Sequence, residues 1–138
     1  MRSNNSHGFT IIELLLVVAM VSIISAIAVP SLVKARDATD SAVAIAQLKG
    51  LQKGQATFYV REFRFARLPE LNSFADNIFG KTVGSTIKHR EFVFTMLPSP
   101  TDESLKMEYT IVANKIVNGR IMSQHTMSAD GMIRTALP

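Results

Sequence analysis

Between Phe9 and Val29 the chain carries 21 residues with one ionisable side chain among them, Glu13. Wound as a helix, that run is about 31 Å long, the thickness of a bilayer's hydrocarbon core. A carboxylate at the centre of such a core costs about 2.5–3.5 kcal/mol, and less near the interface, where Glu13 falls. A lone acid in a lipid span needs a partner. No Lys or Arg occurs between Glu13 and Lys34, so a cationic partner has to come from outside this helix.

The stretch Gly8-Phe9-Thr10-Ile11-Ile12-Glu13, continued by the hydrophobic run and Pro30, resembles the N-terminus of type IV pilin and pseudopilin precursors. The resemblance is dense over Gly8–Pro30 and much looser beyond about Tyr59. It implies that Met1–Gly8 is a leader and that a membrane prepilin peptidase cuts between Gly8 and Phe9 and methylates the new amine of Phe9. It also implies that Glu13 neutralises that amine on a neighbouring subunit, with Phe9, Thr10, Glu13 and Pro30 as the assembly residues. The implied partners are other copies of the chain, the peptidase, a cytoplasmic assembly ATPase and a membrane platform protein. A single-pass protein of the inner membrane would then become part of an extracellular pilus or a periplasm-spanning pseudopilus.

Two plainer readings compete. Ala26-Ile27-Ala28 imitates a signal-peptidase site, but the preceding segment holds only Arg2 as a base, and the apolar run exceeds the usual 7–15 residues. A simple membrane anchor accounts for the length, yet leaves Gly8 and Glu13 without a purpose. Charge does not orient the span, since Arg2 lies on one side and Lys34 and Arg36 on the other. The N-in orientation therefore rests on the resemblance.

Past Pro30 there are 108 residues, enough for one modest core. The chain has no cysteine, unlike many pilins of Gram-negative bacteria, so strand pairing and packing must hold its C-terminal region. Ser22 stands where many relatives have glycine. The formal charge is +4 with the bases scattered.

Helical spacing continues through Ala38, Ala42, Ile45, Leu48, Leu51, Gln55 and Phe58, which predicts one helix from Phe9 to about Glu62, kinked at Pro30. Gly50 and Gly54 either weaken its second half or admit a close neighbour. Arg64–Ser85 reads as an irregular connector with a short helical turn within Leu71–Phe79. Strand-like runs follow at Arg90–Leu97, Leu105–Ala113, Arg120–Ser128 and Met132–Ala136. Between them lie Pro98–Asp102, Asn118-Gly119 and Asp130-Gly131, the last two suited to type I′ hairpins. The expected class is α+β: a long N-terminal helix, its first half transmembrane, packed on a four-stranded antiparallel meander. The segments are a leader (1–8), a hydrophobic helix (9–30), an amphipathic helix half (31–62) and a connector with the sheet (63–138).

Little points to catalysis. His7, His89 and His125 lack ligand spacing, Asp102, Glu103 and Glu108 read as solvated surface, and there is neither a GxSxG serine nor a phosphate-binding glycine loop. No cofactor or metal is expected and the chain is not read as an enzyme. Arg61, Arg64 and Arg67, interleaved with Phe58, Tyr59, Phe63, Phe65 and Phe74, invite a nucleic-acid reading. The alternative has Phe58, Tyr59 and Phe63 sealing the core with the arginines outside, and it is favoured. The function expected is that of a type IV pilus subunit serving adhesion, motility or uptake. The alternatives are a type II secretion pseudopilin, or a minor pilin that binds DNA or a surface.

Overall fold

The helical spacing runs on past the proline, and so does the helix. In the computed structural model, which describes residues 8–136, α1 spans Ile11–Glu62 with Pro30 inside it. Met1–His7, most of the expected leader with Arg2 and His7, lie outside the described residues. The chain divides into two units, one ending at Thr39 and the other beginning at Asp40.

The first unit contains the apolar part of α1. Its side chains are exposed throughout, and the most apolar window, of mean hydropathy 2.7, has none of its residues buried. Within that window the Ser22 hydroxyl donates to the Val18 carbonyl at 2.7 Å. Further along, Thr39 donates to the Ala35 carbonyl at 2.9 Å. Both hydroxyls are thereby spent on the helix's own backbone and add little polarity to its surface.

The second unit begins with the remainder of α1 and adds α2 (Leu68–Phe74), a 3-10 turn (Ser104–Lys106) and six strands: β1 (Lys81–Val83), β2 (Thr86–His89), β3 (Phe92–Met96), β4 (Thr110–Val117), β5 (Arg120–Ser128) and β6 (Ile133–Ala136). The strands form one antiparallel sheet in chain order. The α+β class and the meander stand, but the sheet has six strands rather than four. The two unexpected ones form the edge hairpin β1–β2, three and four residues long, too short to show a period. Their turn, Gly84-Ser85, has Gly84 at φ +58°, the sign a two-residue loop of the type II′ kind requires at its first position. The run read from Leu105 begins pairing only at Thr110, because Leu105 belongs to the 3-10 turn.

Turn chemistry was read correctly at one site and wrongly at another. Asn118 and Gly119 have φ of 51° and 76° and join Val117 to Arg120, as a type I′ hairpin demands. Asp130-Gly131 instead lies in a four-residue loop. There the Asp130 carboxylate accepts from the Met132 amide at 2.9 Å and only Gly131 has positive φ, so the aspartate makes an Asx turn.

The buried face of α1 is Ala44, Leu48, Leu51, Gln55 and Phe58. Ala38 and Ala42, expected on that face, are exposed. Against it lie Leu68 and Leu71 of α2, Ile87 of β2, Phe92, Phe94 and Met96 of β3, and Ile111, Ala113 and Met127 of β4 and β5. On β3 the phenylalanines and Met96 point inward while Val93 and Thr95 are half-buried, so partial burial of both faces was legible. A Cβ at Gly50 would sit 3.3 Å from the Phe79 ring, and one at Gly54 3.2 Å from Leu71 and 3.3 Å from Phe79. The two glycines admit a close neighbour, and that neighbour is the segment around α2.

Buried polar groups fix this packing. Lys115 of β4 is 8% exposed and pairs with Asp40 at 2.8 Å and Glu91 at 3.3 Å, tying the strand to the start of the unit. His125 of β5 is 1% exposed, with Nδ1 3.0 Å from the Thr135 hydroxyl and Nε2 without a partner among the described residues. Burial pushes its pKa below the ordinary 6.5. The unfolded chain therefore takes up a proton that the folded one resists. Stability is full above pH 6.5 and declines as pH falls through the lower folded value. His125→Gln is expected to flatten that decline. Urea titrations at stepped pH measure it, and an unchanged slope would mean that other groups set the acid limb.

Candidate functional site

Glu13 lies at the start of α1, and its position is set by Thr10. The Thr10 amide and hydroxyl both donate to Glu13 Oε2, at 2.9 and 2.7 Å, and the Glu13 amide donates to the Thr10 hydroxyl at 3.3 Å. This reciprocal pair is a capping box. The threonine precedes the first helical residue, the glutamate is the third residue of the first turn, and each satisfies a backbone donor that the helix leaves open. A negative charge there also meets the positive end of the helix dipole. The sequence reading gave Glu13 a partner beyond its own helix and Thr10 no specific contact. The signal for the cap was present as Thr-x-x-Glu ahead of an apolar run.

Around this cap the side chains are open. Phe9, Ile11 and Ile12 are each at least 74% exposed, and a Cβ added at Gly8 would have nothing within 4 Å among the described residues. From Leu14 to Val33 every large apolar residue is also exposed. The segment thus presents an uncovered hydrophobic cylinder headed by one carboxylate. In water such a surface is unstable. Lipid tails, or a bundle of equivalent helices, are the environments that suit it.

The three arginines proposed for nucleic acid are not brought together as a free basic patch. Arg64 makes a two-pronged bond to Glu70, 2.9 Å to Oε2 and 2.5 Å to Oε1, and its guanidinium lies over the Phe58 ring at 5.3 Å. That bond holds the Glu70 carboxyl below the usual carboxylate range and raises the Arg64 pKa. Arg67 donates to the Pro100 carbonyl at 3.0 Å and to Asp102 at 2.6 Å, which lowers the Asp102 pKa. Arg61 is exposed, 3.5 Å from Glu62. Of the aromatics, Phe58 is buried and Tyr59 stacks on Phe65, which meets Tyr109 at 4.7 Å between centroids. Phe63 does not seal the core. It is 78% exposed, with φ of 54° just past the end of α1, because the chain reverses there and turns the ring outward.

Among the described residues, no group of three or more His, Cys, Asp or Glu side chains is close enough to hold a metal ion. His89 is half-buried on β2, and His125 is packed beside Phe92. Of three buried or half-buried amides, Gln55 entered the sequence reading only through its helical spacing, and Gln47 and Asn72 not at all. Gln55 donates to the Ala66 carbonyl and accepts from the Ala66 amide, both at 2.7 Å. Gln47 donates to the Phe79 carbonyl at 2.7 Å. Asn72 bridges the Phe79 amide, the Gly80 carbonyl and the Thr82 hydroxyl. Gln47 and Gln55 bind the segment after α1 back onto the helix, and Asn72 ties α2 to the start of β1. Nothing in a lone Gln on an apolar face announces that it will close a peptide-like pair eleven residues on.

Comparison with known proteins meets the site at the same residues. The prokaryotic N-terminal methylation motif matches residues 3–29, a span that holds Gly8, Phe9, the capping box and the uncovered helix. The chain is 36% identical over 61 residues to a type IV major pilin protein of Myxococcus xanthus, a match covering 44% of this chain and 28% of that protein. It is 38% identical over 56 residues to the type IV wide pilus major component of Thermus thermophilus, covering 41% of this chain and 43% of the relative. The matches thus span less than half of either relative. A methylation motif at the head of a helix long and apolar enough to cross a membrane is what these features define. The chain carries this motif and is similar to type IV pilins over less than half of its length.

Proposed function

We propose that this chain is a structural subunit of a type IV pilus, held in the inner membrane by α1 and then assembled with copies of itself into a filament. The observation that carries the proposal is the segment from Phe9 to Val33, helical from Ile11: exposed in the single chain, apolar, and headed by the methylation motif. One surface serves two environments, lipid before assembly and the apolar helices of neighbouring subunits afterward. Ala19, Ser22, Ser25, Ala26 and Ala28 allow helices to approach closely in either. Prepilin peptidase removes residues 1–8 and methylates Phe9. Glu13 then pairs with the Phe9 amine of the next subunit, exchanging the Thr10 hydroxyl and amide for a charged donor. A cytoplasmic ATPase and a membrane platform protein drive extraction. The likeness to two major pilus components supports a main filament subunit over a secretion pseudopilin, and the pairing of Arg64 and Arg67 with carboxylates removes support from the nucleic-acid reading.

Processing is the direct test. Co-expression with a prepilin peptidase is expected to yield an N-terminal peptide that begins at N-methyl-Phe9, read by mass spectrometry. A mature start at Val29 would instead establish an ordinary signal peptide and contradict the proposal.

A further inference from the structure

An open, mostly apolar groove of about 410 Å³ runs along α1 within the second unit. Gly50 and Gly54 line it from the helix, and Phe74, Ile78 and Phe79 line it from α2 and the segment that follows. Lys53 borders the groove, and the Arg61 guanidinium lies 5.9 Å from the centre of the Phe74 ring. Elsewhere in the same unit Met107 is 84% exposed, the highest value among the large apolar side chains described. We propose that the groove receives the Met107 segment of a second copy of this chain. The inference rests on the filament reading above and adds to it a specific contact between second units.

The Met107 segment has the form of an anchor. Its backbone is fixed, because the Met107 and Glu108 amides both donate to the Ser104 carbonyl, at 3.0 and 2.9 Å. The side chain is thus presented without further ordering of the loop, which lowers the cost of binding. A flexible thioether also adapts to an irregular apolar wall. Groove and anchor are different surfaces of one unit, so the contact is head-to-tail. A copy whose anchor docks leaves its own groove open to another, and such a contact can repeat along a filament.

Charge selects this occupant. Beside or among the groove's lining residues the bases are Lys49, Lys53, Arg61 and Lys81. The acids there are Asp76 and Glu62, the latter 3.5 Å from Arg61. At the anchor the acids Asp102, Glu103 and Glu108 stand against Lys106 and the Arg67 that holds Asp102. Lys53, Glu103 and Glu108 are exposed and make no ion pair among the described residues. The other strongly exposed apolar side chains outside the groove bring no spare acid. Val60 and Phe63 flank Arg61 and Glu62, which pair with each other, and Val83 shares β1 with Lys81. Met122 neighbours Arg120, and the acids Asp40 and Glu91 pair with Lys115. Met132 precedes Arg134 closely, and its own amide already donates to Asp130.

The chain has no cysteine, so an engineered disulfide reports the contact. Met107→Cys copies are co-expressed with Ile78→Cys copies, and in a control strain Met122→Cys, exposed at the β4–β5 hairpin, replaces Met107→Cys. Sheared filaments are oxidised, and the peptide linking residues 107 and 78 is counted by mass spectrometry. It is expected to exceed the control peptide linking residues 122 and 78 severalfold. It should fall about fivefold when the Ile78→Cys copies also carry Lys53→Glu. If filaments contain the chain but the two linked peptides are equally abundant, the inference is overturned and the filament reading stands. If no filament contains the chain, the filament reading falls, and the same comparison on the full chain in detergent upholds or overturns the contact. A link indifferent to Lys53→Glu would mark a chance collision of exposed thiols and also overturn the inference.

Discussion

Replacing Glu13 by alanine is expected to leave processing at Gly8–Phe9 intact and to abolish filaments. The cleavage bond is untouched, and membrane insertion becomes no harder once an acid leaves the apolar run. Loss of the cap costs about 0.5–2 kcal/mol at the helix terminus. Within a filament the effect is larger. The Phe9 amine would enter an apolar bundle unpaired, and removing one partner of a buried pair costs about 3–5 kcal/mol. Because Glu13 is both cap and charge in the single chain, two further variants separate the roles. Glu13→Gln keeps an acceptor for Thr10 but no charge, and should also fail to form filaments. Thr10→Val removes the hydroxyl of the cap but keeps the charge, and should still form them. Electron microscopy beside a processing blot reads all three, and normal filaments from Glu13→Gln subunits would reduce Glu13 to a helix cap.

Gln55→Leu should be the most damaging single change of a polar side chain in the second unit. Leucine suits the surrounding Leu51 and Phe58, so hydrophobicity alone would forecast a neutral or stabilising effect. Yet Gln55 is fully buried and closes both hydrogen bonds of the Ala66 peptide groups, themselves buried. The substitution leaves one amide and one carbonyl without partners, at about 1–3 kcal/mol each. A loss of about 2–6 kcal/mol is a large share of what a domain of this size possesses. Urea denaturation of the full chain in detergent measures it. A shift of less than about 1 kcal/mol would mean that the segment after α1 finds other partners.

Strongly periodic or chemically forced features were visible in the sequence. The 21-residue apolar run, the end of α1 at Glu62, the whole of β5 and the Asn118-Gly119 turn each follow from a local rule that tertiary packing had no reason to override. The missed hairpin β1–β2 is too short to carry a period and is held by pairing to β3 and by Asn72, which reaches across to Thr82. Phe63 was assigned to the core because it is aromatic and follows Phe58 and Tyr59. Its place depends on a chain reversal with positive φ, which composition does not encode. Ala38 and Ala42 were placed on the buried face by spacing alone, but Ala38 precedes the second unit, which begins at Asp40, and within that unit the core takes Ala44 rather than Ala42. At the N-terminus the motif residues were legible one by one, while the bond between Thr10 and Glu13 was not drawn from them, although its pattern is local.

Filaments sheared from the surface of cells that express this chain, digested and read by mass spectrometry, test the central claim most directly. The account predicts that their main component carries an N-terminal peptide starting at N-methyl-Phe9, and that a strain lacking the chain makes none of these filaments. Unchanged filaments in that strain, or filaments in which the peptide is absent, would contradict it.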